Sequence, residues 1–209
     1  MNPNLSTTGR DKNEMPPECA PGEANGWALV ERVRAGDDGA FEILMARYKR
    51  PVLNFVFRLI GDAAEAEDVA QDVFVRAYRS MHKPGFRRTT ANFSTWLFQV
   101  ARNAALDCLR RRKRRPTEPL SGLEDGGAAV PARQATADQD AAARETGAAV
   151  AAAIALLPEE QRAAVLLSEY EGLCDAEIAA VMRCSVKSVE ARLYRARRFL
   201  RERLRRLYA

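Results

Sequence analysis

Aromatic rings, arginines and short hydrogen-bonding side chains alternate in the segment FRRTTANFSTWLFQVARN, from Phe86 to Asn103. Its first part, with HKPG before it, is a polar loop in which small side chains surround one aromatic ring. Stacking on an aromatic ring contributes about 1 to 3 kcal/mol per unpaired base, and threonine or asparagine can read an exposed base edge. We therefore expect single-stranded nucleic acid to bind the loop residues Phe86, Arg87, Arg88, Thr89, Thr90 and Asn92.

A structural role competes for the second part of this segment. Ser94 can cap the helix that follows, and Leu97 and Val100 face the core by their spacing. Phe93 and Trp96 fit the core as well. The loop is therefore the stronger candidate for binding, whereas much of the helix after it is expected to belong to the packed interior.

Two apolar-periodic segments near the C-terminus, DAEIAAVM and SVKSVEARLYRARRFLRERLRRLY, are separated only by Arg183 and Cys184. Two helices joined by so short a turn are typical of a helix-turn-helix, whose second helix enters the major groove of DNA. We expect N-caps at Asp175 and Ser185. The side chains expected to face inward are Ile178, Ala179, Met182, Val189 and Leu193. The outward set is Lys187, Ser188, Glu190, Ala191, Arg192, Tyr194 and Arg195.

The second of these helices is strongly basic, with nine basic residues against two acidic ones from Ser185 onward. A solvated basic helix in a bundle is the weaker alternative. Arg183 departs from the motif, whose turn usually holds glycine, because arginine adopts a positive φ poorly. We expect either a differently built turn or a small strain there, and an arginine at this corner could also reach a phosphate.

Residue types for metal or covalent chemistry are sparse. Cys19, Cys108, Cys174 and Cys184 stand apart without a C-x-x-C pair, and His82 is the single histidine. This spacing predicts neither a zinc site nor a disulfide framework. Because no phosphate-cradling glycine motif and no clustered nucleophile and base occur, we expect no enzyme activity, no metal and no cofactor. Cys108 and Cys174 suit small apolar positions of helices, so both are expected to be buried thiols.

The composition of the 209 residues, with 47% hydrophobic and 29% charged residues, is typical of a soluble globular protein. A formal net charge of +5 agrees with a polyanionic partner but is weak evidence by itself. The longest apolar run, Ala148 to Leu157, is too short to span a bilayer, and the N-terminal residues show no signal-peptide pattern. We expect a cytoplasmic protein.

Two changes in composition divide the chain. Residues 1–24 are rich in Pro, Asn, Thr and Gly and predict a disordered tail. Residues 116–147 hold six acidic and two basic residues and predict a flexible acidic linker. The folded units left are 25–115 and 148–209. Both show helical periodicity without strand alternation, so we expect an all-α protein of two small helical domains.

Within the first unit, the segment GDAAEAEDVAQDVFVRAYRSM predicts a helix with two unlike faces. Asp62 can cap it, with Glu65 as the capping-box partner. Its apolar stripe comprises Val69, Val73, Phe74, Ala77, Tyr78 and Met81. Its polar face carries Glu67, Asp68, Gln71 and Asp72. Upstream, Pro51 is expected to kink or break a helix.

A single-strand loop, a flexible linker and a duplex-reading helix-turn-helix in one chain are the parts that promoter opening requires. In this order the sequence resembles the RNA polymerase sigma-70 family, specifically the small extracytoplasmic-function (ECF) group that keeps regions 2 and 4. The segments that carry the resemblance are DAAEAEDVAQDVFVRAYRSM, FSTWLFQVARNAALDCLRRRKRR, LLPEEQRAAVLLSEYEGLCDAEIAAVM and CSVKSVEARLYRARRFLRERL.

The resemblance implies a role for each surface. The polar face of the 62–81 helix would dock on core RNA polymerase through Glu67, Asp68, Gln71, Asp72 and Arg76. The loop, with Trp96 at the start of the next helix, would capture a flipped base of the −10 promoter element. The −35 element would be read by Ser185, Lys187, Ser188, Glu190, Arg192, Tyr194 and Arg195.

Core RNA polymerase and promoter DNA are therefore the implied partners, and we also expect an anti-sigma factor, since such a partner is common in the family. The alternative is a stand-alone helix-turn-helix regulator that binds duplex DNA without polymerase. That alternative leaves the acidic helix, the aromatic loop and the linker without a role.

Overall fold

Eight helices and no strand make up the part of the chain that this computed structural model describes, residues 24–90, 92–114 and 137–205. They are α1 (Ala24–Arg34), α2 (Asp38–Ile60), α3 (Ala63–Met81), α4 (Phe93–Arg114), α5 (Ala137–Ala155), α6 (Glu159–Glu169), α7 (Asp175–Met182) and α8 (Val186–Leu204). The all-α expectation is confirmed. None of these helices is long and apolar enough to cross a membrane.

The expected tail, apart from Ala24, and much of the expected linker lie outside the described residues. The linker was expected to extend to residue 147, but α5 already begins at Ala137. Its alanine-rich composition explains the difference, because alanine has the highest intrinsic helix propensity.

Helix α3 is built as its sequence predicts. The Asp62 side chain accepts a hydrogen bond from the Glu65 backbone N–H at 2.9 Å and so caps the helix. Val73 and Met81 on the apolar stripe are fully buried. Helix α2, against which α3 packs, continues through Pro51, so of the kink or break that was expected the break is wrong. Buried neighbours such as Val52 hold the chain helical despite the missing N–H.

With Ser94 as its cap the helix would begin at Thr95, but α4 begins at Phe93, so Ser94 lies inside the helix instead of capping it. Phe93 and Leu97 are fully buried, and Trp27 of α1 meets Phe93 edge-on with ring centroids 5.5 Å apart. The burial of these large side chains determines where the helix begins, because Phe93 must lie in the first helical turn to pack in the aromatic cluster.

The helix-turn-helix is formed by α7 and α8. Ile178 and Val189 are fully buried, as the spacing predicts. Ser185 caps α8 by accepting from the Ser188 N–H at 3.3 Å. The cap of α7 is Cys174 and not Asp175 as expected, and the Glu177 side chain accepts from the Cys174 N–H at 3.0 Å.

Arg183 ends α7 in the left-handed region, with φ 52° and ψ 49°. It is the one non-glycine residue with positive φ among those described. Of the two alternatives that the sequence left open, a differently built turn or a strained one, the strained turn is therefore present, and the exposed Arg183 side chain stands at its corner.

The helices before and after the undescribed segment 115–136 pack against each other. Helix α4 lies against α7, and α2 lies against α6. The buried apolar residues of both units form one continuous cluster. The unit that carries the loop and the unit that carries the helix-turn-helix are therefore in direct contact in this structure.

Candidate polymerase and nucleic-acid interfaces

The polar face of α3 is open to solvent. All five residues predicted to dock on core polymerase are exposed; they are Glu67, Asp68, Gln71, Asp72 and Arg76. Asp72 and Arg76 form an ion pair of 3.5 Å along the helix, with more than two fifths of each side chain still exposed. Val75, which the sequence reasoning missed, stands among them at 45% exposure. An apolar side chain inside a charged face is typical of a protein interface.

Phe86 in the loop is half-buried against the aromatic cluster. Its ring centroid lies 6.2 Å from that of Trp27 and 5.4 Å from that of Trp96. The Arg34 guanidinium lies 5.8 Å from the Phe86 ring centroid and donates to the Phe86 carbonyl at 3.3 Å. The ring is thus held in place by the core on one side, and stacking on a base is limited to the part that remains exposed.

The expectation that Trp96 faces nucleic acid is not met in this conformation, because its side chain is only 7% exposed. It lies within the aromatic cluster, 6.1 Å from the Trp27 ring centroid. The burial follows from the helical spacing that also buries Phe93 and Leu97. In this position Trp96 packs against the loop residue Phe86, with ring centroids 5.4 Å apart.

The rest of the loop is ordered by its own polar groups. Arg88 Nε donates to the Thr90 carbonyl at 3.2 Å, and Thr90 Oγ1 donates to the Asn92 carbonyl at 2.7 Å. The Arg88 guanidinium also lies 5.8 Å from the Trp27 ring centroid. Arg87 and Thr89 project to solvent. A pre-ordered loop with exposed donors suits recognition of an unpaired base.

Asn92 faces the second unit. Its Nδ2 donates to Glu177 Oε1 of α7 at 2.6 Å. Beside this bond lies a cleft of about 310 Å³ between the two units. The cleft is lined by Arg47, Tyr48, Pro51, Asn92, Ser94, Phe98, Glu171, Gly172, Leu173 and Glu177. A predicted nucleic-acid residue is therefore already bonded to a carboxylate of the same chain.

Helix α8 likewise carries both exposed residues and a residue that is already bonded within the chain. Its exposed outward residues are Lys187, Glu190, Tyr194 and Arg195, with Ser185 exposed at the cap and Ser188 partly exposed. Arg192 is different, because its side chain is 21% exposed. Its guanidinium donates to Cys184 Sγ at 2.9 Å and pairs with Glu160 Oε2 of α6 at 3.4 Å. One predicted reader of the −35 element is thus held by an acidic side chain.

Glu160 bridges the two units, because its other oxygen pairs with Arg102 of α4 at 2.5 Å. The Arg102 side chain is 9% exposed, so its charge requires this partner. Next to it, Lys113 in the basic end of α4 pairs with Glu159 at 2.6 Å. Gln99 adds a neutral contact by donating to the Ala180 carbonyl at 2.9 Å.

The contact surface between the two units, here called the seam, also includes Arg162 of α6. It donates to the carbonyl of Leu59 in α2 at 2.9 Å, and to those of Ala155 and Leu157 in its own unit. Burial lowers the pKa of its guanidinium, with Glu159 acting in the opposite direction. A cation at the C-terminal carbonyls of two helices is favourably placed for both helix dipoles.

Glu171 lies in the cleft as a half-buried carboxyl. Burial raises its pKa to about 7, partly offset by Arg58 of α2. Arg58 itself lies over the Tyr170 ring at 4.0 Å from the centroid. The contacts of Arg58 and Glu171 thus join α2 to the segment between α6 and α7.

Sequence reasoning missed the residues of this seam, chiefly Arg102, Glu160, Arg162, Glu171 and Glu177. One local signal was available for Arg102, which stands at a core-facing position of α4 beside Ala101 and Ala105. An arginine on a buried stripe indicates a partner carboxylate. The others carry no such signal, because their partners lie far away in the sequence.

Of the two cysteines predicted to be buried thiols, one matches the prediction and the other does not. Cys108 is buried, as predicted, and burial with nearby Glu65 raises the pKa of its thiol. Cys174 was expected to be a buried thiol, but it is half-exposed at the cap of α7 and is not a free thiol. The capping position explains the exposure, because the residue precedes the first inward turn of the helix.

Two family models match separate parts of the chain. The family model for sigma-70 region 2 matches residues 44–115, and that for sigma-70 region 4 matches residues 147–200. The RNA polymerase sigma-H factor of Pseudomonas aeruginosa is 40% identical over 175 residues, 81% of this chain and 88% of that protein. The ECF RNA polymerase sigma-E factor of Escherichia coli is 37% identical with the same coverage.

Two solved structures share the fold. CnrH, in complex with the cytosolic domain of CnrY, gives a TM-score of 0.62 at 27% identity and covers 85% of this chain and 95% of that one. The sigma factor RpoE of Bartonella quintana, in complex with the anti-sigma factor NepR, gives a TM-score of 0.62 at 24% identity, covering 79% and 96%. At that identity the second likeness concerns the fold alone.

The chain belongs to the RNA polymerase sigma-70 family. Within that family its relatives are ECF-type sigma factors, and it is a sigma factor, directing RNA polymerase to promoters, rather than a stand-alone regulator. Helices α2 to α4 lie largely in region 2, and α6 to α8 lie largely in region 4.

Proposed function

We propose that this sigma factor acts through three separate surfaces. The polar face of α3 docks on core RNA polymerase, the loop at 86–92 holds a flipped base of the −10 element, and α8 reads the −35 element as duplex. The exposure of all five polymerase-docking residues supports the first assignment. The ordered loop with exposed Arg87 and Thr89 supports the second.

The observation that carries the proposal is the pairing of this loop with a helix-turn-helix in one chain. Duplex binding through Lys187 and Arg195 anchors the protein on DNA without melting it. Binding of unpaired bases by the loop then offsets the free energy that unstacking costs. The protein itself changes no covalent bond in this scheme, and it works beside polymerase in the cytoplasm.

An anti-sigma factor is also part of the proposal. CnrH is in complex with the cytosolic domain of CnrY, and the Bartonella quintana protein is in complex with the anti-sigma factor NepR. A partner of this kind would have to cover region 2 or region 4 of the present chain, where exposed basic side chains such as Lys187 and Arg195 offer charge to an acidic partner.

Transcription by purified protein with sigma-free core polymerase on fragmented genomic DNA from the source organism tests the proposal. The 5′ ends of the transcripts are sequenced, and core polymerase alone is the control. We expect discrete start sites that share two spaced upstream motifs. Starts no more specific than those of core polymerase alone, from a protein that still binds the polymerase, would contradict the assignment of the DNA-reading surfaces.

A further inference from the structure

Helix α1 holds one arginine against the loop that is proposed to bind an unpaired base. Arg34, the last residue of α1, is exposed, and its Nη1 donates to the Phe86 carbonyl at 3.3 Å. Its guanidinium lies over the Phe86 ring at 5.8 Å from the centroid, within the distance at which a cation is attracted to a ring face. The two residues are 52 positions apart in the sequence. A cation from outside the loop is therefore fixed beside the ring that is proposed to stack on a base.

The charge of Arg34 is not neutralised by a neighbouring carboxylate. In the part of the chain that the structure describes, Arg34 forms no ion pair. Arg32, two residues earlier on the same helix, is the opposite case, because its Nε and Nη2 donate to Asp37 at 2.9 and 2.7 Å. A guanidinium has five N–H donors, and the Phe86 carbonyl uses only one of those of Arg34. Arg34 therefore has both charge and donors left for a ligand.

The loop around the ring adds further positive charge. Arg87 and Arg88 follow Phe86 directly, and both are exposed. The sequence contains no Asp or Glu from Val73 to Leu106, so no acidic side chain of this stretch offsets them. Surfaces that bind single strands combine a positive track for the backbone with an aromatic ring for the bases. Helix α1 and the loop together supply this combination.

A backbone phosphate is the group that Arg34 is best placed to bind. A base that stacks on the exposed part of the Phe86 ring brings the phosphates of its own nucleotide alongside that ring. A planar guanidinium presents paired N–H donors that match two phosphate oxygens. Because the bond to the Phe86 carbonyl already fixes the side chain, less conformational entropy is lost when a phosphate binds.

We propose that Arg34 of α1 binds a backbone phosphate of the single-stranded DNA whose base is held by the loop at 86–92. The inference rests on the proposed function of that loop. It adds a residue that lies before the stretch 44–115 matched by sigma-70 region 2. A phosphate carries no sequence information, so the contact contributes to affinity and to salt dependence and not to the choice of promoter.

The test measures binding of the full-length protein to fluorescently labelled single-stranded 20-mers by anisotropy at several salt concentrations. One 20-mer has a mixed sequence, and the other contains thymidine alone. Arg34→Ala removes the proposed contact. Arg32→Ala is the matched control, because it removes the same charge from the same helix but takes away an arginine already paired with Asp37. Both side chains are exposed, so both variants should fold, which circular dichroism checks.

We expect Arg34→Ala to weaken binding of both 20-mers by about 3- to 10-fold at low salt. The slope of log K against log salt should become shallower by about 0.7, the value for one phosphate contact on a single strand. Arg32→Ala should leave this slope unchanged, and Arg34→Lys, which keeps the charge, should retain most of it. An unchanged slope in Arg34→Ala, or equal changes in Arg34→Ala and Arg32→Ala, would overturn the inference. So would a loss confined to one 20-mer, which would indicate a contact with a base.

A purely structural role of Arg34 is separated by Arg34→Gln. Glutamine keeps an N–H donor for the Phe86 carbonyl but carries no charge. We expect Arg34→Gln to show the shallower slope of Arg34→Ala. A slope and an affinity equal to those of the wild type would mean that Arg34 only positions the loop, and the inference would be wrong.

Phe86→Ala, measured in the same assay, separates the inference from the proposed function. Weaker binding by Phe86→Ala without an effect of Arg34→Ala would support the loop and contradict the phosphate contact. A shallower slope in Arg34→Ala with full affinity in Phe86→Ala would support the phosphate contact and contradict base stacking by the loop. If neither variant differed from the wild type, both proposals would fail.

Discussion

The polar face of α3 and the DNA-reading surfaces differ in how many of their residues are bonded to side chains of other helices in the folded chain. On α3, Asp68 and Gln71 are exposed and the ion pair of Asp72 lies along its own helix. On the DNA side, Asn92 and Arg192 are both bonded to carboxylates of region 4. The comparison teaches that single residues predicted to bind DNA can already be bonded to another part of the folded chain, while neighbours such as Lys187 and Arg195 stay exposed.

The same difference separates two kinds of electrostatic contact. Exposed pairs within one helix, such as Asp72 with Arg76, contribute little to stability because solvent screens them. In the seam, the nearly buried Arg102 pairs with Glu160, and loss of Glu160 would leave the charge of Arg102 uncompensated. The half-buried Arg162 donates to the Leu59 carbonyl, and loss of Arg162 would leave that carbonyl without this donor. Variants on the two sides should therefore have effects of different size and kind.

The largest expected effect is on stability, from Arg162→Ala in the seam. Removal of the guanidinium leaves the carbonyls of Leu59 and Leu157 without this donor, so we expect a loss of about 2 to 4 kcal/mol of unfolding free energy. Urea unfolding followed by circular dichroism measures it. Arg198→Ala, which breaks an exposed pair within α8, is the control and should change stability by less than about 1 kcal/mol. Equal effects of the two changes would show that the seam contributes no special stability.

The second largest effect is expected from Asp72→Arg, a charge reversal on the exposed polar face of α3. We expect roughly 30- to 100-fold weaker binding to core polymerase, because complementary charge across an interface becomes repulsive. Unfolding free energy should be unchanged, since Asp72 is exposed. The affinity is measured by fluorescence titration with core polymerase. Glu31→Arg, an equally drastic change on exposed α1, serves as control. Undiminished binding by Asp72→Arg would remove α3 from the docking surface.

On the occupied side, Arg192→Ala should relax base preference at one position of the −35 element by about 1 to 3 kcal/mol. The reason is that an arginine discriminates bases through paired donors to one base edge. Binding to duplex variants of the −35 element, mutated one position at a time, measures the change. A uniform loss of affinity across all sequences would instead indicate that Arg192 contacts only phosphates.

The smallest expected effect concerns pH and the cleft. Glu171 has a pKa of about 7 in the closed structure, raised by burial and opposed by Arg58. Arg47 and Glu177 also line the cleft that it faces. When the seam opens, exposure lowers the pKa towards its ordinary value, so the protonated form favours the closed state. The contribution of Glu171 to closure is therefore complete below about pH 4.5 and is lost as pH rises through about 7.

The radius of gyration of the wild type should accordingly increase slightly between pH 6 and pH 8. Glu171→Gln should flatten this dependence, because glutamine does not titrate. Glu169→Gln, on the exposed end of α6, should retain it. A pH dependence that persists unchanged in Glu171→Gln would assign it to another group.

Much of the helical framework could be predicted because its signals are local. The cap at Asp62 and the buried Val73 follow from capping chemistry and helical period alone. The helix-turn-helix was predicted from the spacing that buries Ile178 and Val189. Even the unusual φ of Arg183 was foreseeable, because the turn of this motif usually requires glycine.

The errors arose where tertiary packing outweighs local preference. Ser94 is a good cap by type, but the aromatic cluster places Phe93 inside the helix and moves the start from Thr95 to Phe93. Pro51 is accommodated because packing holds α2 together on both sides of it. Trp96 was assigned to DNA by resemblance, although its spacing also suited the core, and the core is where it lies.

The contacts between the regions could not be predicted at all. Asn92 and Glu177 are 85 positions apart, and Arg102 and Glu160 are 58 apart. Their meeting depends on how α4 packs against α7, which no periodicity within either helix determines. This is why the three surfaces could be proposed from the sequence, whereas the closed relation between two of them required the structure.

The distance between regions 2 and 4 in solution tests the central claim most directly. Fluorescent labels are introduced as non-natural residues at Glu31 and Arg201, both exposed, and energy transfer is recorded for the free protein and for its complex with core polymerase. We predict high transfer in the free protein and a separation larger by tens of Å when polymerase and promoter DNA are bound. Equally low transfer in the free and bound protein would contradict the packing of region 4 against region 2 that the structure shows.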